Sequence, residues 1–323
     1  MKVLVVSNMY PGRNKKFEYA GIFVKEQVEA LNRQSGVECN LFIINGYKSK
    51  LAYFWGSIKL LVHLAFNKYD VIHAHYGLSA LFTLLNPFKR RWDNVILTLH
   101  GGDILVEQGK NVQVFLTKLI LNRVAKVLTL NDKMNDVVGT YRDDYIVLPC
   151  GVDTDFFKPD FDVIRGNTIL FPGRTDREVK NFPLFQKVIS NYNEKFGHLE
   201  IVPLDGFTRE EVKAYMQTAA AVLMTSVSEG SPQVIKEAMS CDMAIVSSNV
   251  GDVEYLTRNV AGAAVFNLDD EPADISELLH ETITQAKNNL GARRDKIMAL
   301  DLSNDCVVNK LIRLYEEVKG NVK

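Results

Sequence analysis

Short apolar runs alternate with amphipathic stretches along this chain, and the alternation stops once and restarts. Residues 2–6 read Lys-Val-Leu-Val-Val, a run of the kind that parallel strands buried on both faces display. Similar runs follow at 37–44, 70–75, 94–99, 126–130 and 145–148, with helical spacing at 22–31, 51–66, 77–85 and 112–123 between them. Strand and helix in turn predict βαβ units on a parallel sheet. A Pro-Cys-Gly-Val-Asp stretch at 149–153 and a Phe-Lys-Pro at 157–159 break the rhythm. It resumes with strands expected at 168–171, 198–203, 220–224, 244–247 and 263–266. We therefore expect an α/β chain of two Rossmann-like domains, 1–155 and 156–303, followed by a final helical segment 304–323. Open sheets of this type bind ligands beyond the carboxyl ends of their strands, and two of them leave a cleft.

Charge separates the halves. Residues 1–150 carry 19 Lys and Arg against 12 Asp and Glu, while the net charge of the whole chain is −1. That balance argues against a nucleic-acid partner and for two domains with different ligands. The four cysteines, Cys39, Cys150, Cys241 and Cys306, lie far apart, with neither metal-ligand spacing nor a disulfide pattern, which fits a reducing cytoplasm. The opening Met-Lys-Val-Leu-Val-Val is too short an apolar run for a signal peptide. Residues 51–66 are the most apolar longer stretch, but Lys59 and His63 interrupt them and they fall short of the roughly 20 residues a membrane span needs.

The chemistry concentrates at 226–256. Glu229 precedes a Gly230-Ser231-Pro232 turn, and Glu237 follows eight positions after Glu229. Ser231 is expected to cap a helix with Pro232 at its first position, the helix running to about Cys241. Free N–H groups at a helix start favour an anion, phosphate above all. The carboxylates would repel phosphate, yet they suit sugar hydroxyls. A second cluster lies at 171–180, where Gly173 and Arg174 follow an expected strand and Lys180 stands six residues after Arg174, with Arg177 as an alternative cation. Arg offers a planar fork to phosphate oxygens and Lys a mobile point charge. In the first half, His100 closes an expected strand and is followed by Gly101, Gly102 and Asp103, the glycines allowing close backbone approach to a ligand. His73 and His75 would share one strand face, but no third ligand lies near, so structure or acceptor contact is expected rather than metal. Asp153 and Asp155 form an Asp-x-Asp pair in the linker and are not read as a metal site.

The Glu229/Glu237 segment and the Phe-Pro-Gly-Arg…Lys segment resemble the retaining glycosyltransferases of family 4, which have the GT-B architecture of two facing Rossmann-like domains. The likeness spans almost the whole chain. It implies that Arg174, Lys180, Gly173 and the amides of residues 230–232 hold a nucleotide diphosphate, that Glu229 faces the transferred sugar, and that Glu237 binds the ribose. It implies that His100, in a His-Gly-x-Asp setting with Asp103, contacts that sugar near its reacting carbon. Gly21 stands where the family carries a glycine-rich turn against donor or acceptor, here poorer in glycine and flanked by Arg13, Lys15 and Lys16. The final helix would cross back toward the first domain.

The expected reaction moves a hexose-type sugar from a UDP- or GDP-sugar to a saccharide or lipid-linked acceptor, in surface polysaccharide or glycolipid synthesis. It proceeds with retention, without metal or cofactor, the leaving phosphate taking the acceptor proton. Residues 204–207 should lie near the nucleotide base. The apolar face of 51–66, with Lys89, Arg90 and Arg91 and the basic first half, permits peripheral contact with the inner face of a membrane. A nucleotide-sugar epimerase or hydrolase, or a non-catalytic sugar-binding protein, would share the architecture.

Overall fold

A computed structural model describes residues 1–12, 21–46, 49–86, 92–105 and 111–320. Among them the chain forms two compact units: Met1–Gly151 with the segment from Asn304 onward, and Val152–Ser303. The break comes at Gly151 rather than at 155, because Val152 already belongs to the second unit. Its N–H donates to the Leu302 carbonyl at 2.9 Å, and it bridges in parallel to Ser303.

In the first unit, β1 (Lys2–Ser7), β2 (Glu38–Ile43), β3 (Val71–His75), β4 (Trp92–Thr98), β5 (Val124–Thr129) and β6 (Tyr145–Val147) form a parallel sheet of order β2-β1-β3-β4-β5-β6. Helices α1 (Ile22–Asn32), α2 (Leu51–Phe66), α3 (Phe82–Leu85), α4 (Asn111–Leu121) and α5 (Asp132–Gly139) connect the strands. In β3 all five residues are buried, as a central parallel strand requires. Leu4, Val6, Ile72, Ala74, Val95, Leu97 and Val127 build one core with Leu60, Ile120 and Met134 from the helices.

The stretch 77–85, expected as one helix, is instead a 3-10 turn over Gly77–Ala80 followed by the short α3. The chain enters it through Tyr76 at φ 78°, and a Cβ on Gly77 would sit 2.1 Å from the Thr117 hydroxyl. Helix α4 packs too close for a regular helix to begin there.

Helix α2 leaves exposed much of the apolar face that its spacing marks. Ser57 and Leu60 are its buried residues, with Tyr53, Leu61 and Leu64 packed partly against the core. Gly56 lets it approach Ile44, whose methyl a Cβ would meet at 2.8 Å. Leu51, Phe54, Trp55, Val62 and Phe66 are left exposed.

In the second unit, β7 (Thr168–Phe171), β8 (Glu200–Pro203), β9 (Ala221–Met224), β10 (Ala244–Ser248) and β11 (Ala263–Phe266) form a parallel sheet of order β11-β10-β9-β7-β8. Around it lie α6 (Phe182–Phe196), α7 (Arg209–Thr218), α8 (Gln233–Ser240), α9 (Val253–Thr257), α10 (Pro272–Asn288) and α11 (Ala292–Ala299). Its core joins Ile169, Phe171, Leu223 and Val246 to Phe185, Val188, Leu279 and Ile283. The last helix, α12 (Asn304–Gly320), packs on α1, β3 and β4 of the first unit. It buries Val307, Val308, Leu311, Leu314, Tyr315 and Val318 along one face, the stripe its spacing predicts.

Each strand order reverses once. In the first sheet this happens between β1 and β3, and in the second between β7 and β9. Crevices open beyond the carboxyl ends of strands at such points. In the first unit that edge leads to His75 and His100, and in the second to Gly173, Arg174 and Thr225.

Candidate active site

The second unit's site starts from β7. After Phe171 the chain turns through Gly173 at φ 128°, a conformation that favours glycine. Arg174 then forks onto Asp176, its Nε at 2.9 Å and its Nη2 at 2.5 Å from the two carboxylate oxygens. This short-range pair holds the guanidinium at the strand edge. Lys180 ends a 3-10 turn, Glu178–Lys180, and is nearly buried. Its Nζ lies 2.7 Å from Glu229 Oε1. The Thr225 hydroxyl donates to the Lys180 carbonyl at 2.9 Å, and the Val227 N–H to the Val179 carbonyl at 2.9 Å. The segments 173–181 and 225–229 are thus stitched together, bringing Lys180 and Glu229, 49 positions apart, into one ion pair.

Beyond Glu229, the expected cap is different. Helix α8 begins at Gln233, Pro232 occupies the cap position, and no side chain caps the helix. The Ser231 hydroxyl is engaged elsewhere: it donates to Asp252 Oδ2 at 2.6 Å and accepts from Lys236 Nζ at 3.1 Å. Gly251, at φ 62°, lets the next loop close on this one, since a Cβ there would lie 2.5 Å from the Gly230 carbonyl oxygen. Glu237 is buried on α8 and pairs with Arg209 at 2.8 Å. Arg209 opens α7 behind a Thr208–Glu211 capping box and lies 4.6 Å from the Phe157 ring centroid. Its partnership with Glu237 had no local signal; a helix-starting Arg reads as solvated.

In the first unit, His100 follows β4. Its Nε2 lies 3.2 Å from His75 Nδ1, and its ring packs 4.9 Å from that of Phe23. Asp103 is not open to a ligand as the His-Gly-x-Asp likeness implies. It is fully buried, and its two oxygens accept from the backbone N–H groups of His100 and Gly77, each at 2.9 Å. It shapes the loop that carries His100. Burial pushes its carboxyl up to about 6, against the lowering effect of those N–H donors. Gly21 precedes α1 at φ 83°, and a Cβ there would lie 2.5 Å from the Met9 carbonyl carbon. Its glycine is required by close backbone packing. Arg13, Lys15, Lys16, Lys89, Arg90 and Arg91 lie outside the described residues.

His73 and His75 are structural. His73 bonds Tyr315 through Nδ1 at 2.6 Å and Thr98 through Nε2 at 2.7 Å. Burial depresses the His73 imidazole to about 3 and the His75 imidazole well below its usual 6.5, each with help from the neighbouring histidines. A pH dependence follows. From 6.5 downward the unfolded chain protonates these two rings while the folded one resists. Each therefore costs the folded state stability as pH falls below 6.5. Asp103 acts oppositely: the folded form holds its proton up to about 6, so its contribution is lost as pH rises from 3.8 through that value. With two imidazoles pulling one way and one carboxyl the other, acidification below about 6 costs the folded state stability on balance. Urea unfolding as a function of pH checks this, and His73→Gln should flatten the slope.

Among the described residues no group of three or more His, Cys, Asp or Glu is placed to hold a metal ion. Cys39, Cys150, Cys241 and Cys306 form no disulfide.

Residues 2–156 match the family model described as Glycosyltransferase Family 4, and residues 190–285 the model Glycosyl transferases group 1. An uncharacterised glycosyltransferase of Methanocaldococcus jannaschii is 23% identical over 272 residues, covering 77% of this chain and 76% of the relative. The fold resembles that of sucrose-phosphate synthase from Thermosynechococcus elongatus, with a TM-score of 0.80, 16% identity and 99% of both chains covered. It also resembles Anabaena HepE, solved in complex with UDP, with a TM-score of 0.72 at 13% identity, covering 98% of this chain and 100% of that one.

Proposed function

We propose that this chain, a glycosyltransferase of the family 4 type with the GT-B fold, moves a hexose-type sugar from a UDP- or GDP-sugar to an acceptor hydroxyl with retention of anomeric configuration. One observation carries this reading. Lys180 pairs with Glu229 at the carboxyl edge of one sheet, where Arg174 follows β7, the loop 230–232 follows the neighbouring β9, and Glu237 lies beyond it on α8. That combination suits a ligand that is phosphate in the middle and polyol at both ends.

In the proposed reaction the bond from the anomeric carbon to the diphosphate breaks and the bond to the acceptor oxygen forms on the same face. The acceptor proton passes to the leaving diphosphate, so no side chain serves as a dedicated base. Arg174 and Lys180 stabilise the charge that develops on that leaving group, and on this reading no metal is needed. Glu229, held by Lys180, accepts hydrogen bonds from sugar hydroxyls. Glu237, held by Arg209, accepts from the ribose. In the first unit, His100 is the candidate sugar contact, and Asp103 and His75 position it.

A thermal-unfolding screen with UDP-, GDP- and ADP-sugars tests the donor. At about a hundred times Kd a true donor adds ~2.7 kcal/mol of stability. The midpoint should rise with UDP- or GDP-sugars, and a screen in which none moves it sinks the reading.

On this reading the acceptor is a saccharide or lipid-linked hydroxyl in surface polysaccharide or glycolipid synthesis. No described helix is long and apolar enough to cross a membrane. Helices α2 and α4 nevertheless expose Leu51, Phe54, Trp55, Phe66, Val112 and Phe115. Neither helix carries an acidic residue, whereas Lys59 and Lys118 lie on them. Apolar anchors with cations and no carboxylate suit an anionic bilayer surface. The protein should float with phosphatidylglycerol vesicles but not with phosphatidylcholine ones, and Trp55→Ser with Phe66→Ser should abolish flotation.

A further inference from the structure

Beneath the loop 230–232 lies a charged group that the proposed reaction does not use. Lys236 is fully buried and Asp252 is 6% exposed. The Ser231 hydroxyl joins them, accepting from Lys236 Nζ at 3.1 Å and donating to Asp252 Oδ2 at 2.6 Å. The other oxygen of Asp252, Oδ1, is buried with no hydrogen-bond partner. A buried ammonium and a buried carboxylate linked through one hydroxyl are costly to desolvate, and a hydrophobic pair would often be at least as stable. Their position gives them a use. Ser231 belongs to the loop that starts α8, and Asp252 belongs to the loop that Gly251 presses against the Gly230 carbonyl.

We infer that Lys236 and Asp252, acting through Ser231, are positioning residues whose balanced charges set how strongly the loop 230–232 attracts the diphosphate of a nucleotide ligand. The inference rests on the proposed nucleotide-sugar reading. With both charges present, the ground under the loop is close to neutral, and the loop N–H groups are held still by the Ser231 bonds. Removing Lys236 leaves the Asp252 carboxylate under the anion. Removing the charge of Asp252 leaves the Lys236 ammonium there. A merely structural triad weakens binding whichever member is lost. A charge-setting triad makes the two changes diverge in sign.

Three probes separate these outcomes. Inorganic pyrophosphate reads the diphosphate alone. UDP and GDP read it with a base, and uridine and guanosine read the nucleoside without it. Calorimetric Kd values are measured for the wild type, Lys236→Met, Asp252→Asn and the double variant. Lys236→Met should bind pyrophosphate and the responding nucleoside diphosphate about tenfold more weakly, a difference of ~1.4 kcal/mol. Asp252→Asn should bind both several-fold more tightly. The double variant, with no net charge change, should return near wild-type affinity and covers the case in which Lys236→Met alone does not fold. The nucleosides should bind all four proteins alike. Weakening in both single variants, or equal loss for nucleosides and diphosphates, overturns the inference while leaving the nucleotide reading intact. A folded wild type that binds no probe overturns both.

Discussion

A Lys180→Met variant should transfer sugar about 10²–10³ times more slowly than the wild type, the loss seen when one preorganised electrostatic contact to a developing negative charge is removed. Lys180 is placed for that work by three constraints. Its stem lies beside Gly173, where a Cβ would stand 3.4 Å from Lys180 Cε. Its carbonyl is held by Thr225, and its ammonium lies 2.7 Å from Glu229. The pair creates an ambiguity that a double variant resolves. Lys180→Met also strips Glu229 of its partner, so lost activity could come from a displaced carboxylate. In Lys180→Met with Glu229→Gln that unpaired charge is gone, and stability should recover toward wild type. If the ammonium acts on the leaving diphosphate, the rate does not recover. Steady-state kcat/KM with the donor found in the thermal screen makes the measurement. A double variant as active as Glu229→Gln alone would show that Lys180 only holds Glu229.

Arg293→Met should unfold the second unit about 3–5 kcal/mol more easily, the cost of leaving one member of a buried ion pair without the other. Arg293 is fully buried, with Nη2 at 2.9 Å from Asp242 Oδ1. Its guanidinium also donates to the carbonyls of Ala261 at 2.7 Å, Asn289 at 3.1 Å and Ala286 at 3.2 Å. One side chain therefore ties α11 to the end of α10 and to the turn before β11. Gly262 makes room for it, since a Cβ there would lie 2.3 Å from Arg293 Nη1. Methionine fills much of the volume but leaves three carbonyls without this donor, and the Asp242 carboxylate without its countercharge, held by the N–H groups of Gly291 and Arg293. The thermal midpoint should fall by about ten degrees for a unit of this size. Adding Asp242→Asn should restore part of it by removing the stranded charge. A midpoint within two degrees of wild type for Arg293→Met would show that water replaces the guanidinium at little cost.

These two residues mark the limit of what the linear chain discloses. Lys180 was visible because Arg and Lys after a strand end form a local pattern, and strand ends are where α/β sheets bind ligands. Glu229 and Glu237 were visible because a Gly-Ser-Pro turn stands between them. Arg293 sits in a Gly-Ala-Arg-Arg-Asp stretch that reads as a solvated helix start, since arginine is seldom fully buried. Arg209, Lys236 and Asp252 share that difficulty. Each is defined by a partner elsewhere in the chain, and periodicity carries no information about partners.

Helix α2 shows another limit. Its spacing marked a broad apolar face, but a helix apolar nearly all round has more than one side to offer a sheet. Gly56 decided the matter by letting the Tyr53, Ser57, Leu60 and Leu64 side pack inward. Asp103 is similar: its motif suggested a ligand contact, and two backbone N–H groups claimed it instead.

By itself the sequence determined the alternation of strand and helix, its interruption near residue 150, and the carboxylates and cations at the carboxyl edge of the second sheet. These depend on local periodicity and on residue types at short spacing. Tertiary structure alone decided which charges pair, which face of α2 meets the core, and that Ser231 bonds inward to Lys236 and Asp252 rather than capping its helix. Those outcomes depend on the desolvation of charges brought together from distant positions, an energy that exists only once the chain has folded around them.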